Sequence, residues 1–246
     1  MFILKANNLV KSYSGRMVVD HVSFDVSEGE IVGLLGRNGA GKTTSFRITI
    51  GMINSESGEV VFNGQDVTRL AMYQRAHRGM GYLSQEPSIF QRLTVEENLR
   101  AILETRPMSR EQRKQRAEEL MNQFDLMKLR KQQARTLSGG ERRKLEIARA
   151  LITEPSLILL DEPFSGVDPV AVEELQQEIH RLRTEHNIAM LVTDHNVQRT
   201  LEIVDRAYVI FEGKVFAEGT PKTIINNDQV RKLYLGSTFK GDEFDR

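Results

Sequence analysis

The sequence predicts an α/β fold in which helices cover a parallel β-sheet and a helical segment is inserted into the chain. Three observations support this prediction. A short apolar run at residues 30–35 leads directly into a glycine-rich loop, helix signals dominate between residues 94 and 154, and strand and helix segments alternate from residue 156. Such alternation is typical of a parallel sheet whose two faces are covered by helices.

The first sixty residues carry several strand signals. Residues 18–26 are rich in valine and alternate at their end, where Val22, Phe24 and Val26 are separated by polar residues. Residues 30–35 form a short apolar run of the kind found in buried strands. Residues 58–62 predict another strand, which ends at the Asn63-Gly64 turn.

The middle of the chain is predicted to be helical, and the last third alternates. Residues 94–97 (Thr-Val-Glu-Glu) and 109–112 (Ser-Arg-Glu-Gln) have the pattern of a capping box, which marks the start of a helix. From residue 156 the pattern predicts strands at residues 157–161, 188–194 and 207–211, with helices at residues 170–185 and 197–204.

Composition excludes several classes of protein. Lys plus Arg and Asp plus Glu each number 34, so the formal net charge is zero, and no nucleic-acid partner is expected. The chain has no cysteine, which excludes disulfides and thiolate metal sites. The apolar runs are too short for a membrane helix, and the first residues lack the pattern of a signal peptide. We therefore expect a soluble intracellular domain.

Charge is unevenly distributed along the chain. Residues 106–146 carry twelve Lys or Arg against six Asp or Glu, whereas residues 154–205 carry three against eleven. Solvated helix faces are one explanation for this pattern. A basic insertion that faces an anionic partner is the other.

The loop after the apolar run at residues 30–35 has the spacing of a phosphate-binding P-loop. Glycines let successive backbone N–H groups point inward around a phosphate, and the following helix adds its positive end. Lys42 would reach the β- and γ-phosphates, and the Thr43 hydroxyl would ligate Mg²⁺. The predicted nucleotide-binding residues of this loop are Gly36, Arg37, Asn38, Gly39, Ala40, Gly41, Lys42, Thr43 and Thr44.

Two adjacent carboxylates follow a second apolar run, at residues 157–160. Asp161 would hold the Mg²⁺ ion. Glu162 points to the opposite side, where it could polarise an attacking water as a general base. A solvated turn is the ordinary explanation for two adjacent acids, but the preceding apolar run and the P-loop favour a catalytic role.

Residues 137–141 (Leu-Ser-Gly-Gly-Glu) begin a helix whose exposed N–H groups could bind an anion, and the Ser138 hydroxyl adds a donor. With this pentapeptide the sequence resembles the ATP-binding cassette (ABC) ATPase family, in which it is the signature motif. The resemblance covers nearly the whole chain and implies a P-loop NTPase fold with a RecA-like core, an antiparallel β subdomain and an inserted helical subdomain.

The resemblance also implies boundaries and further site residues. Residues 1–246 would form one domain, with the core at about 1–84 and 156–220, the helical insertion at about 85–155 and a tail at 221–246. The implied roles are adenine stacking for Tyr13, Mg²⁺ binding for Gln85 and catalysis for His195. Nucleotide contacts are implied for the signature residues Ser138, Gly139 and Gly140 and for Asp168.

Three of these residues also have a physical interpretation of their own. Tyr13 offers a ring face to a base, although an exposed tyrosine in a hairpin is the alternative. Gln85 follows a predicted strand and could ligate Mg²⁺ or position water. His195 follows the strand at residues 188–194, where its side chain would reach the γ-phosphate. The other four histidines occupy no such position and are expected to be surface or packing residues.

The family resemblance implies a partner arrangement. In the family, the signature motif of one subunit closes over the P-loop of another, so a homodimer would hold two ATP molecules. Transport is the best-supported role because the chain has one cassette and lacks long coiled-coil insertions. Since no membrane helix is predicted, the permease would be a separate chain, and the protein would contact the membrane only through it.

Three segments narrow the resemblance to the ATPases of lipopolysaccharide exporters: residues 78–99, 192–197 and 233–239. This implies transmembrane LptF-like and LptG-like subunits with an LptC-like component, at the cytoplasmic face of the inner membrane. A groove for the permease would present Ile89, Phe90 and Leu93, with Arg92 at its rim. The alternative for Phe90 is a core position.

Two other functions remain open at this level. The ATPases of branched-chain amino-acid importers resemble the chain through its whole core and differ mainly in loops and tail. A soluble, non-transport ABC ATPase that acts on a protein machine is the third possibility.

Overall fold

A computed structural model of the protein describes residues 1–86, 88–166 and 169–236. Its larger sheet has the strand order β10-β9-β3-β8-β7-β6, in which β10 is antiparallel to β9 and the remaining neighbours are parallel. These strands are β3 (Ile31–Leu35), β6 (Met80–Leu83), β7 (Leu157–Asp161), β8 (Ala189–Thr193), β9 (Arg206–Phe211) and β10 (Lys214–Gly219). The parallel sheet predicted from the alternating pattern is therefore present.

A second, antiparallel sheet is built from the N-terminal part of the chain. Its order is β2-β1-β4-β5, with β1 (Phe2–Tyr13), β2 (Arg16–Ser27), β4 (Ser57–Phe62) and β5 (Gln65–Asp66). The first strand was not predicted from the sequence. Its pairing with β2 shifts register several times, and Asn8 adopts a positive φ of 50°, so its apolar residues do not alternate regularly.

Helices cover the parallel sheet and form the insertion. They are α1 (Lys42–Ile50), α2 (Met72–Ala76), α3 (Val95–Leu103), α4 (Arg110–Gln123), α5 (Gly139–Ala150), α6 (Pro169–His186), α7 (Val197–Leu201), α8 (Pro221–Ile225) and α9 (Asp228–Val230). Helix α7 ends three residues before the predicted bound at 204. The two predicted capping boxes begin α3 and α4, with Thr94 and Ser109 as the capping residues.

Strand β3 shows how the core is divided. Ile31 and Leu35 belong to a hydrophobic cluster that includes residues of the helical insertion, whereas Val32 and Leu34 belong to a cluster shared with the antiparallel sheet. Alternate residues of a strand point to opposite faces. The strand before the P-loop is therefore packed on both sides, which fixes the position of the loop. Within the described part of the chain, no helix is long and apolar enough to cross a membrane.

The C-terminal end of the P-loop helix α1 is held by a buried arginine. Arg75 is 1% exposed and donates hydrogen bonds to the carbonyls of Ile48, Thr49, Thr68 and Leu70. Burial lowers the pKa of Arg75 to about 10. A cation at a helix C-terminus satisfies carbonyls that have no partner within the helix.

Candidate nucleotide and catalytic site

The loop between β3 and α1 depends on two glycines. Gly36 has φ 148°, and a Cβ there would lie 2.2 Å from the carbonyl oxygen of Ile210. Gly41 precedes α1 with φ 107°, and a Cβ there would lie 2.5 Å from the carbonyl oxygen of Val18. Both positions therefore require glycine, and the loop is threaded between two strands at the start of a helix.

Lys42 folds back over this loop. Its side chain is 6% exposed, and Nζ donates to the carbonyls of Gly36 (2.5 Å) and Arg37 (3.1 Å). Burial lowers the pKa of Lys42, and the charges of Glu162 and Asp194 oppose this shift. The ammonium group thus lies inside the predicted phosphate-binding loop, and its charge interacts with the carboxylates of Glu162 and Asp194. Thr43 and Thr44 follow it and are partly buried, whereas Arg37, Asn38 and Gly39 are exposed.

A cavity of about 480 Å³ lies beside the loop, lined in part by Asn38, Gly39, Ala40 and Val18. Its volume is within the range of small-molecule sites. Tyr13 is 47% exposed at the end of β1, where the Lys11 ammonium lies 5.6 Å from the ring centroid. A ring in this position is accessible to a base, but its stacking role stays a prediction.

Asp161 ends β7 and is 6% exposed. Burial raises the pKa of Asp161, and the Tyr82 hydroxyl donates a hydrogen bond of 3.3 Å to its carboxylate. Asp161, the hydroxyl of Thr43 and the amide of Gln85 are the oxygen-bearing side chains predicted to hold Mg²⁺, an ion that prefers oxygen ligands. Among the described residues there is no cluster of three His, Cys, Asp or Glu side chains that could hold a metal by itself.

Glu162, Gln85 and His195 meet at one point although they are far apart in sequence. The Gln85 amide donates a hydrogen bond of 2.8 Å to Glu162 Oε2, and His195 Nδ1 lies 3.4 Å from the same oxygen. Glu162 has a positive φ of 47°, a conformation that costs about 1–3 kcal/mol. Its N–H donates to the Thr193 carbonyl at 2.7 Å, which holds it in place. Asp168, the remaining predicted residue of this region, lies outside the described residues.

Asp194 is a residue of the site that the sequence analysis missed. Its side chain is fully buried and accepts backbone hydrogen bonds from Phe164 (3.0 Å) and Asn196 (2.8 Å). Burial raises the pKa of Asp194. It therefore ties the segment after Glu162 to the segment that carries His195. The position of Asp194 directly before His195 was the one sequence signal of a role in the site. Its contact with Phe164 is visible only in the folded structure.

The signature residues begin α5 and face outward. Ser138 caps the helix, its hydroxyl accepting from the Glu141 N–H at 3.3 Å while the Glu141 carboxylate accepts from the Ser138 N–H at 2.8 Å. Ser138 and Gly139 are exposed and Gly140 is partly buried. Within the described residues, no hydrogen bond or ion pair joins them to the P-loop of the same chain. The fold thus does not bring these two predicted parts together within one chain.

The predicted permease groove contains one prominent exposed aromatic residue. Phe90 is 44% exposed, so its alternative interpretation as a core residue is wrong. Arg92 is exposed and Leu93 is partly buried. Ile89 is only 7% exposed and packs in the core, so it does not present the apolar groove contact predicted for it. The Arg149 guanidinium lies 4.7 Å from the Phe90 ring centroid, a cation–π contact that sequence spacing did not reveal.

Three side chains of helix α5 form hydrogen bonds with the backbone on either side of Gln85. Arg143 donates to the Ser84 carbonyl at 3.4 Å, Glu146 accepts from the Ser88 N–H at 3.0 Å, and Arg149 donates to the Ser88 carbonyl at 2.6 Å. These three side chains recur every third residue and share one helix face. The helix that starts with the signature motif is therefore fastened to the Gln85 segment.

Comparison with known proteins agrees with this geometry. A sequence profile described as ABC transporter matches residues 19–165. That span covers the P-loop, the signature residues and the adjacent carboxylates. The chain therefore belongs to the ABC transporter family, whose ATP-binding cassettes are ATPases.

Individual relatives extend the match over the full chain. The lipopolysaccharide export system ATP-binding protein LptB of Haemophilus influenzae is 50% identical over 241 residues, 98% of this chain and 100% of that protein. LptB of Escherichia coli K12 is 48% identical with the same coverage. The solved ADP conformation of MJ1267, an ATP-binding cassette of an ABC transporter, is 30% identical with a TM-score of 0.85, covering 96% of this chain and 99% of that one.

Proposed function

We propose that this chain is the ATP-hydrolysing subunit of a lipopolysaccharide export transporter. Its two LptB relatives, which are 48–50% identical along the full length, support this substrate class. The observation that carries the catalytic part of the proposal is the convergence of Gln85 and His195 on one oxygen of Glu162. On this proposal a branched-chain amino-acid importer and a soluble non-transport ATPase are the alternatives to be excluded by experiment.

The residues present fit ATP with Mg²⁺. The P-loop N–H groups and Lys42 would hold the phosphates, and Tyr13 would stack on adenine. Thr43, Gln85 and Asp161 would hold Mg²⁺, which neutralises charge on the β- and γ-phosphates. The buried carboxylate of Asp161, with its pKa raised by burial, is the group that a cation would relieve.

Glu162 would act as the general base. Its carboxylate takes a proton from water while the water oxygen bonds to the γ-phosphorus, and the bond to the bridging oxygen breaks, so ADP leaves with the electron pair. Gln85 orients the carboxylate through its hydrogen bond to Oε2. His195, which lies near the same oxygen of Glu162, would contact the γ-phosphate. Asp194 accepts hydrogen bonds from the backbone N–H groups of Phe164 and Asn196, which follow Glu162 and His195 in the chain.

A second copy of the chain would complete the site. Ser138 and Gly139 are exposed, and in the described part of the chain none of the signature residues is bonded to the P-loop, so we propose that they close over the P-loop of the partner. A solved dimer of the cassette MJ0796, bound to ADP and Pi, is 26% identical to this chain with a TM-score of 0.76, covering 89% of this chain and 98% of that one. Its dimeric state supports a homodimer around two ATP.

The groove would hold the permease. Phe90, Leu93 and Arg92 present apolar surface with a basic rim, to which a short helix of an LptF-like or LptG-like subunit would dock, with an LptC-like component in the same complex. The protein would then lie at the cytoplasmic face of the inner membrane without crossing it.

Affinity purification of the tagged full chain from detergent-solubilised membranes tests this proposal. We expect two transmembrane chains to co-purify, and ATP turnover of the complex to be coupled to lipopolysaccharide release from proteoliposomes. Recovery of soluble proteins alone would contradict the transport function. Recovery of an amino-acid permease would contradict the substrate.

A further inference from the structure

A charged cavity of about 490 Å³ lies in the helical insertion, between α3, α4 and Arg130. None of its lining residues belongs to the proposed nucleotide site or permease groove. Its volume is in the range of sites for small molecules, which is 300–1,000 Å³. Five of its eight lining residues fall between residues 106 and 146, where basic residues outnumber acidic ones two to one.

One lining residue of the cavity, Arg130, is held in place by two carboxylates. Arg130 forms two hydrogen bonds with Glu96, at 2.8 and 2.7 Å, and one with Glu118 at 3.0 Å. This bonding to Arg130 is the main reason why the pKa of Glu96 is lowered. Because the pair is bidentate, Glu96 is already neutralised and does not oppose an anion in the cavity.

Arg113 has a donor that the fold leaves without a partner. Its Nη2 donates a long hydrogen bond, 3.3 Å, to the Arg106 carbonyl, while its Nε is buried and has no acceptor among the described residues. A buried donor without a partner costs about 1–3 kcal/mol. Arg113 also lines the cavity and adds a guanidinium group to it.

The rim carries unpaired positive charge. Arg100, Arg110 and Lys114 are exposed, line the cavity, and form no ion pair with any described residue. Two exposed carboxylates, Glu104 and Glu111, also line the rim. Once the Arg130–Glu96 pair is set aside, the lining has four cations and two carboxylates, and Glu118, which binds Arg130 from outside the lining, adds a third carboxylate.

We propose that this cavity binds a phosphate monoester group. Such a group carries about −1.5 to −2 charge at neutral pH and offers several strong acceptor oxygens, which match the excess of cations and the guanidinium groups that line the cavity. Guanidinium forks bind phosphate oxygens bidentately. The remaining volume accommodates the molecule that bears the phosphate, which can be a lipid headgroup or a soluble compound.

Two binding measurements on the full chain distinguish these sources, both with saturating ADP so that the P-loop is occupied. The first is flotation with phosphatidylcholine vesicles that contain about 20 mol% phosphatidic acid, compared with phosphatidylcholine alone. The second is calorimetric titration with glucose 6-phosphate. Binding to the acidic vesicles alone indicates a lipid headgroup, and heat with glucose 6-phosphate indicates a soluble ligand.

Paired variants connect the binding to the cavity. The double substitution Arg113→Gln with Lys114→Gln should weaken binding by about tenfold or more. The control, Lys128→Gln with Lys131→Gln, removes the same charge from exposed lysines of the same insertion that do not line the cavity. Lys114→Gln alone, at the exposed rim, provides a second variant in case Arg113 is needed for folding.

Two outcomes overturn the proposal: no binding by wild type in either assay, or equal losses in the cavity and control variants. The result is independent of the proposed function, because neither assay requires ATP hydrolysis or a permease. Turnover of the wild-type chain, measured separately, tests that function.

Discussion

Gln85 and Glu162 are 77 positions apart and are joined by a hydrogen bond of 2.8 Å between Nε2 and Oε2. Gln85 also begins the segment that α5 holds through Ser88 and that leads to Phe90. The proposed general base and the proposed permease groove are therefore connected through one amide and six residues of backbone. A shift of that segment would change the orientation of the Glu162 carboxylate.

The substitution Glu162→Gln should abolish turnover, by at least about 100-fold, because the amide cannot accept the proton of the attacking water. ATP binding should remain, and a nucleotide-bound dimer should accumulate in size-exclusion chromatography. Glu218→Gln, at an exposed position of β10, is the matched control. Unchanged hydrolysis in the Glu162 variant would refute its assignment as the base.

The substitution Gln85→Ala should lower turnover by about 10- to 100-fold, since a hydrogen bond to a charged group contributes about 1.5–3 kcal/mol. The affinity for ATP should change much less than turnover does. Steady-state kinetics and equilibrium nucleotide binding measure the two effects. Gln229→Ala, which alters an exposed glutamine near the C-terminus, is the control. An equal effect of both substitutions would show that Gln85 is not part of the catalytic site.

Mixing two inactive variants should restore activity if each site is shared between two chains. A chain with Lys42→Ala keeps its signature motif, and a chain with Gly140→Asp keeps its P-loop, so their heterodimer has one intact site. Half of the dimers in an equal mixture would be heterodimers, which gives about a quarter of wild-type turnover if the two sites act independently. Each variant alone should be inactive. A mixture that stays inactive would argue against a signature motif supplied by the partner.

The substitution Phe90→Ala should weaken association with the permease by about tenfold or more, because a partly exposed aromatic side chain is a typical interface anchor. Binding of the variant to the purified permease measures this loss, and turnover of the isolated chain provides the reference. Tyr73→Ala removes a more exposed aromatic ring elsewhere on the surface. Equal permease binding by the two variants would show that the groove assignment is wrong.

The stability of the chain should depend on pH through Asp194. Since burial raises its pKa above the ordinary value of 3.8, the folded state binds the proton more tightly than the unfolded state. The free energy of unfolding contributed by this group is therefore highest at low pH and falls as pH rises from about 3.8 through the raised pKa. Asp194→Asn should flatten this part of the profile in urea unfolding measured from about pH 4 upward, while Glu218→Gln should not. An unchanged slope would contradict the shift.

Local motifs explain which parts of the site could be predicted. The P-loop, the Asp161-Glu162 pair and the signature pentapeptide are each defined by a few consecutive residues, and the sequence placed them on the correct elements. Asp194 and Arg149 were missed because their roles depend on contacts with Phe164 and Phe90, which are distant in sequence. A buried aspartate and an arginine on a basic helix carry no local signal of such partners.

The strands, too, divide into those that local sequence predicts and those that depend on tertiary pairing. Parallel strands with continuous apolar runs, such as β7, were predicted within a residue of their bounds. Strand β1 was missed because bulges interrupt its alternation, and β10 was missed because its side chains are partly exposed at the edge of the sheet. Pairing with β2 and β9 decides these strands, and pairing is a property of the tertiary structure.

On the proposed function, helix α5 links the permease to the partner's ATP as one rigid element. It is 12 residues long, and about 15 Å of axial rise separate Gly139 in its first turn from Arg149 near its end. A regular helix of this length is stiff along its axis. On the proposed function, a permease that presses on Phe90 would tilt the Arg149 end of this helix and so move its first turn, which would open or close the cover over the partner's ATP.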